Sequence, residues 1–155
     1  MAVNPVASDV EVLYRDLGPR LWRAVLAYCG DPEIASDAVS EAFVQIIARG
    51  TEIRSPTAWL WTTVFRIAAG ELDHRRTHLP VEITPSYELP LAADHIVSAL
   101  RKLSSNQRIA IVMHDYADRP TREVAEVLGI STATVHVHLS RGRRKMRALL
   151  EEAHD

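Results

Sequence analysis

The stretch "TATVHVHLSRGRRKM", Thr132 to Met146, sets two histidines one residue apart and follows them with Arg141, Arg143, Arg144 and Lys145, with Arg147 just beyond. Taken by itself, "TVHVHL" alternates apolar and polar residues, as a strand does, and a strand would put both histidines on one face like a metal-binding His-x-His. The flanks point the other way. Gly129 can take the left-handed conformation that ends a helix, Ser131 can cap the next one, and Val135, Leu139, Gly142 and Met146 then recur at helical spacing. The segment therefore reads as a helix with those four residues on one face. At about 100° per residue His136 and His138 stand about 200° apart, too far round the helix to chelate one ion. No Cys or Asp/Glu pair elsewhere has a metal-ligand spacing, so the sequence predicts no metal and no cofactor.

Working back from Gly129, Thr121 to Leu128 reads as a second helix, and the pair has the spacing of a helix-turn-helix. Ala125 is small where the helices approach, while Val124, Leu128, Ile130 and Val135 fill the space between them. An ordinary helical hairpin gives the same signal. What separates the two readings is the basic block Arg141 to Arg147, because a helix that is apolar inside and basic toward its end suits a DNA groove.

The whole chain has 155 residues, of which 47% are hydrophobic, enough for one modest core or two small ones. Its formal net charge of -2 hides an asymmetry: residues 77–100 carry Glu82, Glu88 and Asp94 without a Lys or Arg, and residues 131–150 carry five basic residues without an acid. Such a block binds phosphate where it touches but attracts DNA little from afar. No apolar run approaches the roughly 20 residues that span a bilayer, so a cytoplasmic, soluble protein is expected. The lone Cys29, beside Leu26, Ala27 and Tyr28, reads as a small buried hydrophobe.

Toward the N-terminus, Val10, Leu13, Leu17, Leu21, Val25 and Leu26 predict one helix or two, with Gly18-Pro19 as the kink. "GDPEIASDAVSEAFVQIIARG" predicts another, with Asp31 as N-cap, Pro32 at the first helical position and Gly50 at the end. "SPTAWLW" opens a third at Pro56, running to about Arg76. From Thr77 to Leu91 the pattern disappears and Pro80, Pro85 and Pro90 recur, which reads as an extended linker. Helices return over Leu91 to Leu103, Ser105 to Tyr116, Thr121 to Leu128 and Thr132 to about Glu152. The fold class is all-α: two small helical domains, a three-helix module over 1–76 and a four-helix module over 92–155, joined by the linker 77–91.

Residues Leu103 to Leu150 resemble region 4 of sigma factors, the promoter-specificity subunits of bacterial RNA polymerase, and most closely the small group IV, or extracytoplasmic-function (ECF), type. The family pattern E-I-A-E-x-L-G-I-S-x-G-T-V-K-S-R-L-H-R-A-R is matched by Glu123, Ala125, Glu126, Leu128, Gly129, Ile130, Ser131, Thr134, Val135, Leu139, Arg141 and Arg143. "GDPEIASDAVSEAF" is similar to the region 2 motif G-D-x-x-x-A-E-D-L-V-Q-E-x-F through Asp37, Val39, Glu41 and Phe43. Ala133, His136, Val137 and His138 depart from the usual Gly, Lys, Ser and Arg, and Arg66 from a common Asn.

The resemblance implies three surfaces. Asp37, Ser40, Glu41 and Gln45, otherwise a solvated helix face, would bind the clamp of core RNA polymerase. Trp59, Thr62, Thr63, Arg66, Arg75 and Arg76 would meet the minus-10 element, although Arg75 and Arg76 also suit the C-terminal end of a helix dipole. Thr132, Ala133, His136, Val137, Ser140, Arg141, Arg143 and Arg144 would meet the minus-35 element. Trp61 and Phe65 read as core. The partners implied are core RNA polymerase and promoter DNA, and an anti-sigma factor is a further partner that the resemblance allows.

For catalysis the sequence offers no Gly-rich phosphate loop, nucleophile elbow or paired carboxylates, and the expectation is that the chain is not an enzyme. Two rival readings are a stand-alone helix-turn-helix regulator and a helical hydrolase using His114, His136 or His138.

Overall fold

The computed structural model describes residues 5–78 and 91–154, with side chains described for 9–50, 52–75 and 95–153. Every regular element among the described residues is helical. The chain divides into two compact units, Met1–Glu82 and Ile83–Asp155.

The first unit holds α1 (Pro5–Cys29), α2 (Pro32–Arg49) and α3 (Pro56–His78), with a short 3-10 turn at Gly50–Glu52. Helix α1 runs through Pro19 as one helix, settling the choice between one and two. It packs against both α2 and α3, and these pack on each other. The turn from α1 to α2 follows its local chemistry. Asp31 Oδ1 accepts from the backbone N–H of Glu33 at 2.8 Å and of Ile34 at 3.4 Å, satisfying donors that the first helical turn leaves without a partner. Pro32, which has no N–H to lose, sits just inside. The core between the helices is aromatic at its centre: Tyr28, Trp61 and Phe65 are each at most 2% exposed, and the Trp61 and Phe65 rings stack at 6.4 Å. Cys29, next to Tyr28 in sequence, is buried, as expected of a small hydrophobe.

The second unit holds α4 (Leu91–Arg101), α5 (Ser105–Ile111), α6 (Thr121–Leu128) and α7 (Thr132–His154). Helix α7 packs against the other three. Its inner face is the predicted one: Val135 and Leu139 are at most 1% exposed and Gly142 is buried. A Cβ on Gly142 would stand 2.7 Å from Ile111 Cδ1, the tip of a side chain that would have to turn aside, and 3.4 Å from Gln107 Cβ, so α7 lies close on α5 at this glycine. Gly129 ends α6 at φ 66°, and the Ser131 hydroxyl caps α7 by accepting from Thr134 N–H at 3.1 Å. Leu128 and Ile130, expected to fill the space between these helices, are only half-buried.

One element differs from expectation. The helix begun at Ser105 does not stay α-helical to Tyr116; Val112–Tyr116 is a π turn, closed by Ala117 N–H on the Val112 carbonyl at 2.9 Å. Beyond it, Asp118 takes the left-handed region at φ 58°, which Asp tolerates better than most residues. Helix α3 reaches His78 and α4 starts at Leu91, so both helices enter the span 77–91 expected as linker. Residues 79–90, with the three prolines, and the side chain of Arg76 lie outside the described residues.

Candidate functional site

Two surfaces, one on each unit, collect the residues singled out from the sequence. On the first unit, α2 turns Ile34, Ala38, Ala42 and Ile46 inward, and this places Asp37, Ser40 and Glu41 outward, all exposed. Gln45 is half-buried and its amide donates to Glu41 Oε1 at 3.1 Å, which fixes the carboxylate on the helix surface. Sequence reasoning missed the apolar part of this face. Val44 and Ile47 are 59% and 60% exposed, an apolar pair that continues the side of the helix on which the polar residues just named lie. The signal was available, because 37, 40, 41, 44 and 47 fall on one side of a helix at about 100° per residue. A groove beside Val44 is shared with Ile67 and Glu71 of α3.

The predicted strand-contacting face of α3 is only partly present. Trp59 is half-buried and carries the Arg49 guanidinium 5.8 Å over its ring, a cation–π contact, while Arg66 is exposed. Thr62 and Thr63 need correction: they are 4% and 8% exposed, and the Thr62 hydroxyl donates to the Trp59 carbonyl at 3.0 Å. Both side chains lie in the helix packing, not on the outward face expected for them. Arg75 is half-buried. Its Nη1–H donates to Asp31 Oδ2 at 2.6 Å, with Glu71 at 3.5 Å, so it ties the end of α3 to the start of α2. The same carboxylate thus caps one helix and anchors another.

On the second unit the outward face of α7 presents Thr132, Ala133, His136, Val137, Ser140, Arg141 and Arg144, all exposed, with Val137 at 44%. His138 is half-buried and lies on a different side from His136, as the helical reading requires. Arg143, also exposed, has a partner within the chain. Its guanidinium grips Asp115 of the π turn through two parallel hydrogen bonds, Nε–H to Oδ2 at 2.9 Å and Nη2–H to Oδ1 at 2.6 Å. That hydrogen bond holds Arg143 above its ordinary pKa.

His114, which the hydrolase reading would use, and the neighbouring Asp115 each have a partner within the second unit. His114 Nδ1–H donates to the Arg119 carbonyl at 2.7 Å while Asp115 faces Arg143, so the two side chains serve separate contacts. Arg119 in turn makes a two-point pair with the buried Glu123 at 2.7 and 2.8 Å, which shows why an acid at that position can lie inside a small core. Among the described residues no group of His, Cys, Asp and Glu is placed to hold a metal ion, and no helix is long and apolar enough to cross a membrane.

Comparison with known proteins agrees with this division. The Sigma-70 region 2 family model matches residues 13–77, and the Sigma-70, region 4 model matches residues 94–146. The chain is 37% identical to the ECF RNA polymerase sigma factor SigJ of Mycobacterium tuberculosis, over 91% of this chain and 50% of SigJ. It therefore spans about half the length of that relative. It is 24% identical to the RNA polymerase sigma factor CarQ of Myxococcus xanthus, over 92% of this chain and 89% of CarQ. In fold it is similar to the sigma factor RpoE of Bartonella quintana, crystallised with the anti-sigma factor NepR, at a TM-score of 0.74, 20% identity and coverage of 92% and 97% of the two chains. With region 2 on the three-helix unit and region 4 on the helix-turn-helix unit, the chain belongs to the sigma-70 family of sigma factors, as a member of the ECF type.

Proposed function

We propose that this chain binds core RNA polymerase through the outward face of α2 and directs it to promoters of a specific regulon, with no catalytic step of its own. The observation that carries the reading is the α2 face: Val44, 59% exposed, lies among Asp37, Ser40, Glu41 and Gln45, and Ile47, 60% exposed, extends the apolar surface one turn further along the same side. An apolar centre with a polar rim is how protein interfaces are built, and the acids select a basic partner. Residues 1–76 are assigned to polymerase and the minus-10 element, 77–91 to a linker, and 92–155 to the minus-35 element. Within the first unit, Trp59 and Arg66 are assigned to the separated strand, where stacking and a cation suit single-stranded DNA. In the second, Thr132, Ala133, His136, Val137 and Ser140 are assigned to base edges, and Arg141 and Arg144 to phosphates.

The place of action under this reading is the cytoplasm. A partner of the anti-sigma type, named in the RpoE complex, is proposed for the first unit as a competitor for the α2 face. The test is reconstitution. Added to core polymerase, the chain is expected to co-purify with it and to start transcripts at a defined set of promoters, which sequencing of the 5′ ends reads directly. Tight promoter binding without polymerase, and no capture of core, would instead favour a stand-alone regulator.

A further inference from the structure

Arg143 lies on the side of α7 that carries His136, seven residues or about 10 Å further along the helix. A guanidinium there is within reach of the sugar–phosphate backbone of a duplex lying on that face. It is taken instead by a carboxylate of its own chain, in the side-by-side geometry with which an arginine grips a phosphate. The two side chains are 48% and 35% exposed. The two-point geometry lets the pair add to stability although it is open to water, and the same openness leaves it within reach of a competing phosphate. The π turn is what brings the acid into place, since Asp115 lies within Val112–Tyr116, 28 residues before Arg143 in the chain.

We propose that Asp115 is an internal competitor for the DNA backbone: its carboxylate stands in for a phosphate on Arg143 and so limits how tightly α7 holds duplex DNA. The inference rests on the reading of α7 as a DNA-docking helix. Three N–H groups of Arg143 remain free of Asp115, but the charge that would displace a counterion from DNA is already balanced. Phosphate contacts carry no sequence information, whereas base-edge contacts do. With one such contact suppressed, a larger share of the binding comes from residues such as His136 and Val137. Asp115 is in this sense a specificity-determining residue, acting through Arg143.

The test titrates the full chain with a mixed-sequence DNA duplex over a range of salt, for the wild type, Asp115→Asn, Arg143→Gln and the double variant. Asn keeps the shape of Asp and one acceptor oxygen while removing the charge. Asp115→Asn is expected to raise affinity and to steepen the slope of log K against log salt by about 0.9, so that the gain shrinks about threefold between about 50 and 200 mM salt. Arg143→Gln alone should change the slope little, and in the Asn background it should abolish the gain. An unchanged slope in Asp115→Asn would overturn the proposal. So would a loss of affinity with helix content and thermal midpoint retained, because Asp115 would then be orienting Arg143 onto a phosphate. Failure of the docking reading looks different: the wild type itself would show no salt-dependent binding, and the proposal would fall with it.

Discussion

Helices α2 and α7 are both amphipathic, yet their outward faces are opposites. On α2 an apolar pair, Val44 and Ile47, lies on the side that carries Asp37, Ser40 and Glu41. On α7 the single large apolar residue, Val137, sits among His136, Ser140, Arg141 and Arg144. The first composition suits a protein partner that is apolar and basic, the second a polyanion. The interiors differ too. The first unit is built on Tyr28, Trp61 and Phe65, whereas the large fully buried side chains of the second, among the described residues, are aliphatic or methionine: Ile109, Val112, Met113 and Leu139. One unit is filled by big rings and the other is closed by a near-contact at a glycine.

That contrast can be broken from the inside. Trp61→Ala empties the aromatic centre and is expected to destabilise the first unit by about 3–5 kcal/mol while leaving the second unit's melting unchanged. Differential hydrogen exchange would read the two units apart. Gly142→Leu is the converse, forcing a side chain into the space of Ile111 and destabilising the second unit by about 1–3 kcal/mol. If either variant loosens both units equally, the cores are not independent. The double use of Asp31 gives a smaller effect. Asp31→Ala removes the cap and the pair with Arg75 and should cost about 0.5–2 kcal/mol, and Asp31→Asn, which keeps the cap oxygen, should cost less. Equal losses in thermal unfolding would put the whole effect on Arg75.

The smallest effect concerns the outer face of α7. An exposed valine in a helix bound for the major groove has one apolar feature to meet there, the C5-methyl of thymine. Val137→Ser should weaken binding to the preferred promoter by about 1 kcal/mol and change little when uracil replaces the contacted thymine. Equal losses on the two templates would place Val137 against backbone or protein.

The local parts of this structure were legible in the sequence. The boundaries of α6, the αL turn at Gly129, the caps at Asp31 and Ser131 and the inner face of α7 all follow from residue types at fixed spacings. What was not legible is long-range. Arg75 finds Asp31 across 44 residues and Arg143 finds Asp115 across 28, and no local pattern announces either pair. Thr62 and Thr63 were misjudged because a helix packed on two neighbours buries more of its circumference than an apolar stripe suggests. The π turn was hidden because its residues fit an α-helix equally well.

Under the proposed function, core polymerase is held by the α2 face of the first unit and the minus-35 element by the α7 face of the second. The most direct measurement is the affinity for core polymerase of two variants, the charge-reversed Asp37→Lys/Glu41→Lys on α2 and His136→Ala/Arg144→Ala on α7. For the first, charged interface pairs coupled by about 1.5 kcal/mol or more predict a loss of over tenfold. The second should bind core as the wild type does and fail only at the promoter. Unchanged core affinity in the α2 variant, with its helix content preserved, would contradict the account.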